Sequence, residues 1–524
     1  MRILTIIGIC LWLTAMLVPG KHALHMFQQN RYECARFTKW LQDNGTAGIT
    51  QYILPAVLSA VTAAAQVLLG QGEAAMAVSG AVLTVTRILQ ERGKNYIKPL
   101  VYTNRVKRQI AVMVILALIC AAGLNFVPVF FRISVPLFST CLPWLLVYPM
   151  AVITAPIEKA GRNRYLNEAK DILRKHSDLI RIGITGSYGK TSTKNVIQSV
   201  VSEQYLSLMT PASYNTPMGI TRTIRELLQP IHQVFVCEMG ADHVGDITEL
   251  MNFVHPGIGV VTSIGPQHLQ TFGSQENITR EKMQMIELLP PDGTGILNYD
   301  NELIRNYQIK NPVRILTYGI RHEDVDYRAV DIDYGPYGSS FTVQAEGGSY
   351  PFETKLLGEL NILNILSAVA VARSLDIPWP RIQRAVREMK QVEHRLEKKI
   401  IGGYSFIDDA FNANPSGAAM ALDVLARMPG KRIIVTPGMI ELGDRQDEIN
   451  HTFGTQMKGC ADEVILVGEK QVHAIRQGLE DSGFDMAHVH VLATVKEAFD
   501  WVWKNATPAD TILLENDLPD AFNH

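Results

Sequence analysis

The chain has 524 residues, with 49 Lys and Arg against 51 Asp and Glu, a net charge of −2. That length leaves room for about three domains, and a charge this close to balance, with no basic stripe, excludes a nucleic-acid partner. Six cysteines, at 10, 34, 120, 141, 237 and 460, form no Cys-x-x-Cys pair, which excludes a zinc ribbon and gives no disulfide framework.

The first 156 residues are strongly apolar; beyond them charged residues recur regularly. Five stretches, residues 3–18, 52–69, 74–89, 110–127 and 135–155, approach the ~20 residues that span a bilayer as a helix. The first leaves through Pro19, Gly20 and Lys21 without a small-x-small cleavage site, so it reads as an uncleaved anchor. Basic residues set the expected orientation. Arg87, Arg92, Lys94, Lys98, Arg105, Lys107 and Arg108 precede the fourth stretch, and Lys159, Arg162, Arg164 and Lys170 follow the fifth; both groups belong on the cytoplasmic side. Loop 21–50, with Lys21, Arg31, Arg36 and Lys39, fits that side too, so five crossings with the N-terminus outside satisfy all three. The expectation is an N-terminal α-helical transmembrane bundle over 1–156, in a multi-pass inner-membrane protein whose catalytic domains are cytoplasmic.

Past a polar helical connector at 162–176, strands and helices alternate as in a parallel α/β sheet. Residues 182–193 read Ile-Gly-Ile-Thr-Gly-Ser-Tyr-Gly-Lys-Thr-Ser-Thr, an apolar strand, a glycine turn and Gly-Lys-Thr before a helix. Glycines allow backbone N–H groups to face phosphates, a lysine neutralises the β/γ oxygens, and a threonine hydroxyl holds Mg²⁺. The strict P-loop spelling would put Gly where Ile184 stands, so this is a variant loop flanked by Gly183 and Gly186. A second strand at 232–238 ends on Glu238, and a third at 258–264 leads to His268. Ligands of such sheets sit beyond the carboxyl ends of the strands, where Lys190, Glu238 and His268 all fall. Glu238 offers an oxygen ligand for Mg²⁺ beside the phosphates. Taken singly, His268 reads as structural and Lys282 as a solvated helix lysine.

Several motifs in order resemble the Mur ligase family. They are Thr-Gly-Ser-Tyr-Gly-Lys-Thr-Ser (185–192), Tyr-Asn-Thr-Pro-Met-Gly (214–219), Glu-Met-Gly (238–240) and His-Leu-Gln-Thr-Phe-Gly-Ser (268–274). Ile-Asp-Asp-Ala-Phe-Asn-Ala-Asn-Pro (407–415) and Gly-Met-Ile-Glu-Leu-Gly (438–443) with His451 are most similar to its D-alanyl-D-alanine-adding branch. The resemblance covers about 160–515. It implies a P-loop-like central ATP-binding domain at 160–395 and a Rossmann-like C-terminal domain at 396–524, with strands near 432–436, 463–467, 489–492 and 511–514.

By the same resemblance, Gly186, Ser187, Gly189, Lys190, Thr191 and Ser192 hold the triphosphate of ATP. Thr191, Glu238, His268 and Lys282 surround two Mg²⁺ ions, Lys282 being carbamylated. Asn298 and Asn364 lie near the nucleotide, Arg395 and Asp409 link the C-terminal domain to it, and Asn412 and Asn414 mark the interface between the domains. Lys190, Lys282, Asp409, Asn412 and Asn414 form the implied catalytic set. The implied activity is ATP-dependent amide-bond formation in peptidoglycan precursor synthesis through an acyl phosphate. Its partners would be a muramyl-peptide precursor, UDP- or lipid-linked, an amino acid or dipeptide, and membrane lipid.

Three departures from the family pattern stand out. Apolar helices replace the domain that grips UDP, which favours a lipid-linked acceptor. Leu360 replaces a histidine before Asn361 and Asn364. Leu-Leu-Glu-Asn-Asp-Leu-Pro-Asp (513–520) stands where that branch carries Lys-Gly-Ser-Arg, leaving the incoming amine open. The alternatives are a membrane-bound poly-γ-glutamate synthase-like or other amino-acid ligase and, from a different class, a P-loop energised transporter. The transporter gives Lys282 and Asp409 no role.

Overall fold

The computed structural model describes residues 2–50, 52–68, 72–91, 99–123, 135–410, 414–440, 442, 445–468 and 472–516. The chain divides into two compact units, Met1–Arg164 and Tyr165–His524.

The first unit is helical. Among the described residues of the chain, three helices are long and apolar enough to cross a membrane, Ile6–Gln29, Asn104–Gly123 and Phe138–Lys175, where five spans were expected. The stretches at 52–69 and 74–89 fall in the helices Ile53–Leu68 and Gly72–Glu91, whose apolar portions, Ile53–Ala65 and Ala77–Gln90, are shorter. The expected loop at 21–50 is also corrected: the first helix, Arg2–Gln29, passes through Pro19, and Cys34–Thr50 is helical too. Packing overrides the break signal, because Ala23, Leu24 and Phe27 are buried in one cluster with Phe37 and Trp144. Arg87, expected in a basic loop, is instead fully buried within the helix Gly72–Glu91. It donates to the Ala15 carbonyl at 2.9 Å and to Thr140 Oγ1 at 2.8 Å. Arg92, Lys94 and Lys98 lie outside the described residues.

The second unit holds two sheets. The first contains β1 (Ile180–Thr185), β2 (Ser207–Met209), β3 (Val234–Glu238), β4 (Ile258–Val261), β5 (Thr294–Asn298), β6 (Arg314–Gly319), β7 (Tyr327–Gly335), β8 (Gly338–Ala345) and β9 (Gly348–Thr354). Their order is β2-β3-β1-β4-β5-β6-β7-β8-β9, parallel as far as β7 and antiparallel beyond it. Burial follows topology: β3 and β4 are buried throughout, whereas β8 alternates, as parallel and one-sided strands respectively do. Because β1 lies between β3 and β4, the chain leaves it toward one side and later crosses to the other. A crevice opens beyond the carboxyl ends at such a switch.

Gly183, Gly259 and Gly295 stand in adjacent register across β1, β4 and β5. All three face the helix Gln275–Glu287. A Cβ at Gly259 would lie 3.1 Å from both the Met285 carbonyl oxygen and its Cγ, and one at Gly295 would lie 3.1 Å from Ile286 Cδ1. This glycine row lets the helix that carries Lys282 lie close on the sheet.

The second sheet contains β10 (Glu397–Ile401), β11 (Tyr404–Asp409), β12 (Arg432–Thr436), β13 (Glu463–Val467), β14 (Val489–Leu492) and β15 (Thr511–Glu515). Its order is β10-β11-β15-β12-β13-β14, and only β10 runs antiparallel to its neighbour. The last strand in sequence thus enters the middle of the sheet, bringing Glu515 into register with Asp409.

Replacing Gly259 by Ala is expected to destabilise the second unit by about 1–3 kcal/mol, the usual range for overpacking. Gly183→Ala is expected to cost less, since its Cβ would chiefly meet the flexible Met285 thioether. Thermal melting of the two variants beside the parent protein checks that order.

Candidate active site

After β1 the chain turns through Gly186 and Gly189, with φ of 152° and 81°, values that glycine adopts without strain. It then enters the helix Lys190–Val201, which has no side-chain N-cap. The N–H groups of its first turn are therefore available to an anion. Lys190 folds back over this loop, its Nζ donating to the carbonyls of Gly186 at 2.7 Å and Ser187 at 3.0 Å. Burial brings its pKa down to about 8; Glu238 opposes that shift and Arg395 adds to it. The Ser187 hydroxyl, expected at the phosphates, is engaged by the Gly265 backbone: it donates to the carbonyl and accepts from the N–H, both at 3.0 Å.

Glu238, ending β3, is the best-held group of the crevice. Its Oε1 accepts from Thr191 Oγ1 at 3.2 Å and from Asn215 Nδ2 at 3.0 Å. Its Oε2 accepts from Lys194 Nζ at 3.1 Å, and both side chains of that ion pair are 1% exposed. Lys194 also donates to the Ala212 carbonyl. The motif at 214–219 thereby gains a physical role. Thr216 caps the helix Pro217–Glu226, with Pro217 in its first turn. Asn215 packs against Gly240, where a Cβ would come within 2.8 Å of its side chain. Lys194 escaped the sequence reading, although its place four residues after Lys190 puts both on one helix face.

Lys282 is buried, donates to the Ala241 carbonyl at 3.0 Å and lies 5.6 Å from the Phe272 ring centroid. Burial, and then the Lys190 charge, brings its pKa down to about 7. Its neighbour Glu281 accepts from the N–H groups of Gly245 at 2.8 Å and Ile247 at 2.6 Å, tying down the loop that follows Glu238. His268 heads the short helix Leu269–Phe272 with φ of 54°. The structure therefore joins Thr191 directly to Glu238 and brings Lys282 within the field of Lys190. On the loop after Glu238, Asp242, His243 and Asp246 place ligand-capable atoms within 4.8 Å of one another. There Asp246 Oδ2 accepts from the N–H groups of Asp242 and His243, at 2.9 and 2.8 Å.

A cavity of about 360 Å³ opens beside the loop, with Gly189, Ser192, Asn298, Asn364, Arg395 and Asp409 on its wall. Asn298 donates to the Thr262 carbonyl at 2.9 Å, and Asn364 accepts from Thr193 Oγ1 at 2.8 Å, binding the helix Glu359–Ser374 to the loop helix. Tyr188 reaches the same wall with a buried, unpaired phenol. Asn414 also lines the cavity and caps the helix Pro415–Ala426 through Gly417 N–H at 3.0 Å. Asn412 lies outside the described residues, as do Glu441 and Gly443 of the 438–443 motif. His451 pairs with Asp481 at 2.8 Å and is not on the cavity wall.

Residues 184–372 match the Mur ligase middle domain and 394–515 the Mur ligase glutamate ligase domain. The UDP-N-acetylmuramoyl-tripeptide–D-alanyl-D-alanine ligase of Escherichia coli (strain K12) is 31% identical over 297 residues, 56% of this chain and 65% of that protein. The chain thus spans just under two thirds of that relative. The protein of the same name from Bacillus subtilis (strain 168) is 30% identical over 339 residues, 64% of this chain and 72% of the relative. Among solved structures, MurF from Acinetobacter baumannii superposes with a TM-score of 0.62 at 25% identity, over 69% of this chain and 78% of that one. MurF from Thermotoga maritima, at 22% identity and a TM-score of 0.62, covers 68% of this chain and 80% of its own; that likeness speaks to the fold alone.

These relatives correct the multi-pass inner-membrane placement expected from hydropathy, since MurF-type ligases are cytoplasmic enzymes. Three apolar helices among the described residues are slight ground against that. With both domains matched and a 30% identical relative covered over 72% of its length, the chain belongs to the Mur ligase family.

Proposed function

We propose that the chain is an ATP-dependent carboxylate–amine ligase of peptidoglycan precursor synthesis, releasing ADP and phosphate. It would join D-alanyl-D-alanine, or a similar amine, to the free carboxylate of a UDP-linked muramoyl tripeptide, the substrates that the relatives' names print. One observation carries the reading. Lys190, Thr191 and Glu238 meet at the carboxyl ends of β1 and β3, beside a cavity whose wall includes Arg395 and Asp409.

The chemistry needs that arrangement. A carboxylate does not release its oxygen to an amine in water. Transfer of the γ-phosphoryl group of ATP to it gives an acyl phosphate. The neutral amine then attacks the carbonyl carbon, the N–C bond forms, the C–O bond to phosphate breaks, and the nitrogen gives up one proton. The first step brings anions together, so preorganised positive charge lowers its barrier. Lys190 and the uncapped helix start would supply it, with Gly186, Gly189 and Ser192 shaping the cradle. Asn298, Asn364, Arg395 and Asp409 would hold the nucleotide, and Asn412 and Asn414 would join the two domains.

Mur ligases use ATP and Mg²⁺, and the donor set fits the metal. Thr191 Oγ1 and Glu238 Oε1, 3.2 Å apart, are hard oxygens of the kind Mg²⁺ takes. His268 would complete that shell. The ion would neutralise phosphate charge at that end of the crevice. Lys282 would serve a second ion after its neutral amine adds to CO₂, forming a carbamate and releasing one proton.

ATP turnover with mass analysis of the products tests the reaction, both UDP-linked and lipid-linked muramoyl tripeptides being offered with D-alanyl-D-alanine. A dipeptide-sized gain on the UDP-linked acceptor is expected; a gain on the lipid-linked one alone would reassign the acceptor, and none on either would overturn the reading. Lys190→Ala is expected to lower kcat by about 10²-fold or more, as loss of one transition-state donor does. The Lys282 carbamate has its own sign. With a pKa of about 7, its reactive neutral amine grows as pH rises through that value. Labelled bicarbonate should give a carbamate carbon resonance that is stronger at about pH 8 than at about pH 6, and absent in Lys282→Arg.

A further inference from the structure

Glu515 ends β15 fully buried, and among the described residues neither of its carboxyl oxygens has a hydrogen-bond donor. Its register partner is Asp409, at the end of β11. Paired residues of neighbouring strands project to the same face, and these two carboxyl groups stand within hydrogen-bonding reach. Asn516 fixes the strand end, its N–H donating to the Asp409 carbonyl at 3.3 Å. Two ionised carboxylates are acceptors only, so contact between them needs a proton on one. Asp409 has outside support, accepting from the Leu396 N–H at 3.1 Å and reaching the cavity wall. Glu515 has none among the described residues, and the proton belongs there.

Among the described residues, the charged groups facing the pair are few. Arg395 favours both anions and also feels Glu238, while Asp408 adds a like charge beside Asp409. The helix Pro415–Ala426, packed on β15, carries one charged residue, Asp423, in its last turn. On the adjoining β12, Arg432 lies at the opposite end of the strand.

We propose that Glu515 is a positioning residue that acts as a neutral acid, its O–H donating to Asp409 and holding that carboxylate, with Arg395, on the nucleotide side of the cleft. This rests on the nucleotide reading given above. Burial raises both groups, Asp409 to about 6 and Glu515 well above the ordinary carboxylate range. The pH sense follows. Below about 6, Asp409 loses its charge. As pH climbs toward the raised value of Glu515, ionisation sets two buried anions side by side and the arrangement weakens.

Titration of the full chain with ADP and Mg²⁺ from neutral to alkaline pH tests this, beside Glu515→Gln and Glu515→Leu. The parent should lose affinity about tenfold toward alkaline pH. Glu515→Gln, whose amide donates without titrating, should match the parent at neutral pH and fall less than the parent toward alkaline pH. Both keep the part of the fall that comes from Lys190, with its pKa of about 8. Glu515→Leu should bind about tenfold more weakly throughout, the scale of one lost hydrogen bond. An alkaline fall as large in Glu515→Gln as in the parent, or equal affinities for the two variants, would overturn the proposal. An infrared carbonyl band of a protonated carboxyl, present in the parent and lost in Glu515→Gln, reads the proton directly. If ADP binds to none of the three, the nucleotide reading fails, and the infrared band still decides whether Glu515 holds a proton.

Discussion

A carboxylate withdrawn from water costs several kcal/mol unless its charge and lone pairs are matched, and Glu238 meets that demand from three directions. Lys194 balances the charge, Thr191 comes from the same helix, and Asn215 arrives on the loop before the next one. These segments are the walls of the crevice at the sheet's switch point, so a single buried ion pair sets their spacing. Lys194 follows Lys190 by one helical turn, and the pairing therefore also fixes how the loop helix is rotated about its axis. Removing the cation while leaving the carboxylate would strand a buried charge at the centre of the site.

The second constraint is steric. The helix Gln275–Glu287 approaches the sheet over glycines in adjacent register on β1, β4 and β5. That approach carries Glu281 to the loop after Glu238 and Lys282 into the field of Lys190. Burial and then the Lys190 charge depress the proton affinity of Lys282, and burial with the Arg395 charge depresses that of Lys190. Such a site gains most from a polyanion, whose arrival reverses the repulsion.

What the sequence revealed was local. Lys190, Thr191 and Glu238 were legible because strand, glycine turn and helix follow one another within a few residues, and β3 ends on its carboxylate. Lys194 stands one turn further along the same helix, but nothing local distinguishes it from a solvated lysine, and it escaped notice. The partnership of Asp409 with Glu515 was not legible, because it depends on the last strand entering between β11 and β12, a pairing across about a hundred residues that no local pattern encodes. The same blindness to packing misread the first unit. Pro19 and Gly20 looked like the end of a span, yet the helix runs on beneath buried aromatic side chains, and Arg87 lies inside the helical cluster rather than in a basic loop.

Charge along the cavity also orders what can lie in it. The cations, Lys190 and Lys282 with the uncapped helix start, gather at the carboxyl end of β1. The carboxyl groups of the second sheet gather at the ends of β11 and β15, and Arg395 stands between the two sets, sensing Asp409, Glu238 and Glu515. In the proposed reading a nucleotide has one comfortable orientation, its phosphates toward Lys190 and its uncharged portion along the asparagines of the wall. A phosphate displaced toward Asp409 would meet like charge in a low-dielectric corner, where repulsion is felt strongly. The acidic pair thus rejects the wrong placement while Arg395 accepts the right one, so the second sheet would contribute selection as well as affinity.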